Sequence, residues 1–336
     1  DFDGYYTTAC IVARNDCNDG NGAINPGNPP VLANVPASFS MPADAGVLGA
    51  VFANPVTASD TCEGNLTSSV VISVMLPGAS SSSAFPANGI FPVGTSSVTW
   101  TVVDALGNFD TQTRNITVLN HQLLDAVVTL NGFHSGPSTR QVRITHGGTS
   151  TLVSLSFSSG LTPSAAIIDM QVPVAAGYAC LAAKDLAHSI TDASAPSVVA
   201  KEYAAAFLLR QGDANNDDVV DIFDYAAFIT ARGIGRATDA ASNYNGDTEI
   251  DNSDFTFVFT SFLASGESCS ASFNPPAPCT RVSVKDLRRA GLGHMIVADI
   301  NHDGWVDLRD MQLSMQGAGG PPQNPSVGQP ISGTNW

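Results

Sequence analysis

Asp213-Ala214-Asn215-Asn216-Asp217-Asp218-Val219-Val220-Asp221-Ile222-Phe223-Asp224 is the stretch around which this chain is organised. Oxygen-bearing side chains stand at positions 1, 3, 5, 9 and 12, and position 7 can offer a backbone carbonyl. A second copy runs from Asn243 to Asp254, in the same register. Each copy is followed by Phe-rich sequence with helical spacing. Hard oxygen donors at that spacing are what a calcium ion takes from a twelve-residue loop.

In loop 1 the expected ligands are Asp213, Asn215, Asp217, the Val219 carbonyl, Asp221 and Asp224. In loop 2 they are Asn243, Asn245, Asp247, the Glu249 carbonyl, Asp251 and Asp254. A third loop reads Asp299-Ile300-Asn301-His302-Asp303-Gly304-Trp305-Val306-Asp307-Leu308-Arg309-Asp310. Its ligands would be Asp299, Asn301, Asp303, the Trp305 carbonyl, Asp307 and Asp310. Position 6 of such a loop usually needs glycine for a sharp turn. Gly304 supplies it in loop 3, whereas Asp218 and Thr248 stand there in loops 1 and 2. Asn243 at position 1 leaves loop 2 with fewer charged donors, which predicts weaker calcium binding than in loop 1. The apolar residues at position 8, Val220 and Ile250, are expected to face each other or enter the core. Phe223, Ala227 and Phe228 should share one helix face, and Phe255, Phe259 and Phe262 another.

The pair of loops at residues 211–266 resembles a type I dockerin, a module of two calcium loop–helix units. Residues 267–317 resemble a second such unit with one intact loop. There Ser283-Val284-Lys285-Asp286 looks like a capping box whose helix ends at Gly291. The dockerin resemblance implies docking to a cohesin through polar residues at loop positions 10 and 11. This chain has Ile222-Phe223 and Asn252-Ser253 there, and the apolar pair is expected to pack within the chain.

Upstream, β-branched runs at Val70–Val74, Val98–Val103 and Ile116–Val118 predict strands. Val98, Trp100 and Val102 share one face and should point into a sandwich core. Asp104–Asn108 should form the hairpin turn between the last two. Phe91-Pro92-Val93-Gly94, that strand and turn, and Asp60-Thr61-Cys62 together resemble a HYR (hyalin repeat) domain over residues 29–120. The resemblance implies an immunoglobulin-like sandwich used in extracellular adhesion. Many such repeats carry a partner cysteine near Leu48-Gly49, and it is absent here. Residues 121–210 predict a second β-sandwich, with strands at Val127–Leu130, Gln141–Thr145, Thr151–Phe157, Ala166–Val174 and Tyr178–Ala182. Thr151–Phe157 alternates and should have one wet face; Ala166–Val174 is more continuously apolar and should be more buried. The segment Cys180-Leu181-Ala182-Ala183-Lys184-Asp185 ahead of the loops resembles one found before dockerin repeats in large secreted bacterial proteins.

Residues 1–28 hold too little apolar sequence for a core. They resemble the Asp-rich metal-binding motif of MopE-type bacterial surface proteins. That resemblance implies Asp1, Asp3, Asp16 and Asp19 as ligands, with a Tyr5 carbonyl. Residues 318–336 form a Pro/Gly-rich tail of linker composition.

The fold class expected is therefore mainly β: tandem immunoglobulin-like sandwiches followed by small α-helical dockerin- or EF-hand-like calcium units. With 30 acidic against 14 basic residues, the net charge of −16 argues against nucleic acid and anionic lipid as partners and for divalent cations. No apolar run approaches a membrane span. The cysteines predict local disulfides, Cys10–Cys17 and Cys269–Cys279, with Cys62 and Cys180 as buried thiols or a bridge between domains. His121, His134, His146, His188, His294 and His302 fall in no catalytic pattern. The reading is a non-catalytic, secreted, calcium-binding structural or adhesion protein at the cell surface or in an extracellular assembly. Its partner would be further copies of itself, as in a fibre, or another extracellular protein; the alternative is the dockerin-bearing part of a secreted enzyme or scaffold that docks to a cohesin.

Overall fold

The computed structural model describes residues 28–186, 189–234, 242–269 and 275–317. The expected ligands Asp1, Asp3, Tyr5, Asp16 and Asp19, the cysteines Cys10 and Cys17, and the Pro/Gly-rich tail lie outside them. The chain is mostly β and divides into two compact units. Of the described residues, the first comprises 28–123, 171–177 and 200–202, and the second takes the others.

The first unit is a β-sandwich. Strands Phe39–Met41, Phe109–Val118, Gly94–Val103, Val71–Met75 and Ser83–Ala84 form one sheet in that order. Against it lie the small sheets of Val31–Ala33 with Thr57–Asp60 and Gly64–Asn65, and of Gly49–Val51 with Ile90–Pro92. Both layers feed one core: Val98, Trp100, Val102, Ile116 and Val118 from the larger sheet, Leu32, Ala50 and Ala58 from the smaller ones. The two-residue period anticipated this face. Trp100 is fully buried and its indole N–H reaches Asn54 Oδ1 at 2.9 Å, which satisfies the ring's one polar group. The Asp104 carboxylate accepts the amides of Leu106 and Asn108, and Gly107 takes φ +87°, closing the expected hairpin turn. Asp60 Oδ1 likewise accepts the amides of Cys62 and Glu63.

The second unit opens with two four-stranded sheets. One has the order Ser164–Val172, Gln122–Leu130, Glu202–Leu209, Ser197–Val199; the other Thr149–Phe157, Ser138–His146, Leu181–Asp185, Asp192–Ser194. Tyr178 touches His146 of the second sheet and Tyr203 of the first, with ring centroids 6.2 and 5.1 Å apart. Thr149–Phe157 has the expected wet face: Leu155 and Phe157 are buried and Leu152 is exposed. The Ala166–Val174 expectation fails. Ser164–Val172 is a sheet edge with Ile168 71% exposed, and Asp169 at φ +54° interrupts its alternation.

Among the described residues four α-helices follow: α1 (Ile222–Ile234), α2 (Asn252–Ser261), α3 (Val284–Arg289) and α4 (Leu308–Met315). Their shared core joins Tyr225 and Phe228 of α1, Phe255 and Val258 of α2, Leu287 of α3 and Met311 of α4. α1 is central, since Tyr225 meets the Phe255 ring at 5.9 Å and its hydroxyl bonds Ser314 Oγ at 2.8 Å. On α2 the face differs from expectation. Phe257 is buried and Phe259 is 46% exposed, because Phe257 packs on His134 of the strand region and on Tyr244. α3 begins as the sequence implied, with Ser283 Oγ accepting the Asp286 amide, and Gly291 follows its end at φ +78°. Among the described residues no helix is long and apolar enough to cross a membrane.

The disulfide expectation needs correction. Cys269 bonds Cys180, 89 residues away, and Cys279 is a free thiol. The fold sets Cys269, just after α2, against the start of strand Leu181–Asp185, which sequence proximity cannot foresee. Cys62 is also disulfide-bonded. A disulfide typically contributes about 2–4 kcal/mol, and the long loop closed by Cys180–Cys269 favours the upper part of that range. The Cys180→Ser/Cys269→Ser variant is therefore expected to unfold at lower denaturant, with a loss in that range by urea titration.

Candidate metal centre

Three loops carry one hydrogen-bond pattern. The position-12 carboxylate folds back over each loop. Asp224 accepts the amides of Asn215 and Asp221 at 3.2 and 2.8 Å. Asp254 accepts Tyr244, Asn245 and Asp251 at 2.7, 3.1 and 3.1 Å, and Asp310 accepts Ile300, Asn301 and Asp307 at 2.8, 3.2 and 2.9 Å. At position 5, Asp217, Asp247 and Asp303 each accept the position-7 amide of Val219, Glu249 or Trp305. The asparagines at position 3, Asn215, Asn245 and Asn301, bridge to position 5. Position 9 starts the helix: Asp221, Asp251 and Asp307 accept the amides of Phe223, Ser253 and Arg309. The expected ligands at positions 3, 5, 9 and 12 are thus tied into the same turn in each loop.

Position 1 separates the loops. Asp213 accepts the amides of Asp217 and Asp218, and Asp299 those of Asp303 and Gly304, all at 3.1 Å. Asn243 turns instead to the Gly246 amide and donates to the Asp247 carbonyl. Position 4 is left-handed in every loop, with φ +62° at Asn216, +78° at Gly246 and +58° at His302, whereas at position 6 Gly304 is left-handed and Thr248 is not, so Thr248 avoids the strain that β-branching would bring there. In loop 1 Asp218 itself takes φ +71°.

Asp218 earns that conformation through its side chain. Its Oδ1 accepts from Lys184 Nζ at 3.0 Å, and from the Thr191 amide and hydroxyl at 2.7 and 2.9 Å. Lys184 also donates to Asp213 Oδ2 at 2.9 Å. Gly266 lies beneath, where any Cβ would collide with the Asp218 carboxylate. Loop 2 is held from the same strand region: Arg140 donates to the Tyr244 carbonyl at 3.1 Å, Ser135 N to the Asn245 carbonyl at 3.1 Å, and Ser135 Oγ to Asp247 at 3.2 Å. Sequence reading missed Lys184, Arg140, Thr191 and Gly266. Of these only Lys184 carried a signal, its place in the Cys180–Asp185 segment.

The position-8 residues join the helical core. Val220 exchanges backbone hydrogen bonds with Leu263 and Ala264, and Ile250 packs half-buried on the helical core. Loop 3 is joined to the strand before α3 by the Arg281–Ser283/Trp305–Asp307 pairing, with the Arg281 guanidinium 3.7 Å over the Trp305 ring.

The donor set fits a calcium ion. Asp224, Asp254 and Asp310 are fully buried, and burial drives their carboxyls upward: Asp224 to about 8, Asp254 to about 6, Asp310 in the same direction. Burial also pushes Asp213 up, against the pull of Lys184. These are all-oxygen donors with buried negative charge, the chemistry of a hard divalent cation. His134 and His146 serve structure: His134 bonds the Asn131 carbonyl, and His146 ties Thr149 and Thr151 across its hairpin.

No family model matches this chain, and no curated protein does. Among solved structures it is similar to the Bacteroides ovatus mixed-linkage glucan utilization locus protein SGBP-B at 12% identity, covering 47% of this chain and 44% of that one, with a TM-score of 0.18. The CBM51-2 and INT domains of Clostridium perfringens ZmpB match at 12% identity over 84% of this chain and 70% of that one, TM-score 0.18. A calcium-stabilised, ice-binding adhesin of an Antarctic bacterium matches at 13% identity over 53% and 49%, TM-score 0.17. The chain spans less than two thirds of the length of the first and third of these. Likenesses of this size assign it neither a family nor a function.

Two outcomes are expected. A carboxyl whose folded value is raised stabilises the fold below the ordinary value of 3.8 and loses that contribution as pH rises through the folded value. In chelator the melting temperature should therefore fall between about pH 5 and about pH 8.5, with calcium abolishing the decline; scanning calorimetry at both pH values reads it. Gly266→Ala should destabilise the fold by about 1–3 kcal/mol through overpacking, read by urea midpoint.

Proposed function

We propose that this chain is a non-catalytic, secreted, calcium-binding structural or adhesion protein, acting through protein–protein contacts at a cell surface or in an extracellular assembly. The observation that carries this reading is the recurrence of one loop pattern three times, each closed by a fully buried aspartate. Calcium would be held by Asp213, Asn215, Asp217, the Val219 carbonyl, Asp221 and Asp224 in loop 1, and by the equivalent positions of loops 2 and 3. Bound there, the ion supplies the positive charge that these buried carboxylates otherwise lack. The loops in turn set the start of α1, α2 and α4 through their position-9 caps. Each pair of units, on this reading, is dockerin-like.

The Cys180–Cys269 disulfide supports an extracellular address, since such bonds persist in oxidising compartments. Docking to a cohesin is the less favoured partner choice. Ile222 is fully buried and Phe223 packs on the helical core, so loop 1 has no free recognition pair. Asn252 and Ser253 of loop 2 are exposed and would have to act alone.

Titration calorimetry of the chelator-stripped chain with calcium tests the reading. We expect binding at the three loops, weaker at loop 2 than at loop 1, and about 2.7 kcal/mol of stabilisation per site at 100-fold excess over Kd. Absence of binding heat, with equal melting temperatures in calcium and chelator, would refute it.

A further inference from the structure

We propose that Lys184 is a resident counter-ion of loop 1, holding that loop in shape without metal and lowering its affinity for calcium. The inference rests on the calcium reading above. Lys184 projects from strand Leu181–Asp185, which is paired on both edges, with Ser138–His146 on one side and Asp192–Ser194 on the other. Its ammonium is nearly buried and meets two carboxylates of the loop, Asp213 Oδ2 at 2.9 Å and Asp218 Oδ1 at 3.0 Å. Asp213 is a position-1 ligand, so lysine and calcium draw on the same negative charge.

Two like charges served by one carboxylate repel each other at short range, and burial leaves that repulsion poorly screened. Lys184 therefore stabilises the metal-free loop more than the loaded one. By linkage, whatever favours the free state weakens the ligand. Lysine suits this role because its compact ammonium can bond both carboxylates from one point, while the Thr191 amide and hydroxyl complete Asp218.

Loop 3 is an internal control. It has the same position-1 pattern, with Asp299 accepting Asp303 and Gly304, yet among the described residues no ion pair reaches it. Loop 1 should accordingly keep its shape in chelator and loop 3 should not. The departure of loop 1 from the usual glycine at position 6 has its purpose here: Asp218 provides the second anchor for the lysine.

The test uses the full chain, stripped with chelator and titrated with calcium chloride in an Asp254→Asn/Asp310→Asn background that isolates loop 1. Lys184→Met should bind calcium about tenfold more tightly, and the gap between its melting temperatures in calcium and in chelator should widen. Lys184→Arg, which keeps the charge, should stay within about threefold of the parent. A Lys184→Met chain that folds only with calcium also supports the proposal. Unchanged or weaker calcium binding by Lys184→Met, in a parent that binds, overturns this inference and leaves the calcium reading intact. No binding by the parent while the wild type binds overturns this inference alone, and no binding by the wild type overturns both.

Should Lys184→Met fold under neither condition, hydrogen exchange on the wild-type chain decides. In chelator the Asp217 and Asp218 amides of loop 1 should stay protected while those of Asp303 and Gly304 in loop 3 lose protection. Equal loss in both loops overturns the proposal.

Discussion

Burying a carboxylate is among the most expensive acts in folding unless hydrogen bonds and positive charge come with it. The second unit does this repeatedly, at Asp213, Asp221, Asp224, Asp254, Asp299 and Asp310. Its local structure follows from how the charge is met. Backbone amides of positions 3 and 9, joined by position 2 in loops 2 and 3, converge on the position-12 carboxylates, which bends each loop into a closed turn. The helices start where position 9 caps them, so helix direction depends on loop shape. The apolar residues that follow then meet around α1 in one core.

Amides alone do not neutralise charge, and the sandwich supplies part of the remainder. Strand Leu181–Asp185 is the fastening element: Cys180 just before it bonds Cys269, Lys184 grips loop 1, and Asp185 lies 3.8 Å from Arg140, which holds the loop 2 backbone. Glycines permit these approaches. A Cβ on Gly136 would come within 2.7 Å of the Gly246 carbonyl, and Gly266 leaves room for the Asp218 carboxylate. The loops and this sandwich accordingly fall in one compact unit.

Much of this was legible in the sequence because the relevant signals are short-range. Trp100 and its alternating neighbours marked a sandwich strand, Asp104–Asn108 marked its turn, and the donor spacing marked where the three loops close. Ser283 marked the start of α3. What escaped notice was long-range. Lys184 and Arg140 read as ordinary strand cations until the fold carried Asp213, Asp218 and Tyr244 to them. Cys269 lay nearer in sequence to Cys279 than to Cys180, and only the sheet order reverses that preference. Phe257 displaced Phe259 from the buried face because α2 is gripped by the strand region as well as by α1. Ile168 was misjudged since an apolar run reads alike at the centre and the edge of a sheet.

The most direct measurement is a crystal structure of this chain grown in calcium. Ions should stand inside the loops, each among the side chains of positions 1, 3, 5 and 12 and the carbonyl of position 7, with Lys184 still against Asp213 and Asp218. Empty loops in calcium-containing crystals, or ions bound only elsewhere, would contradict the metal as the source of the missing charge.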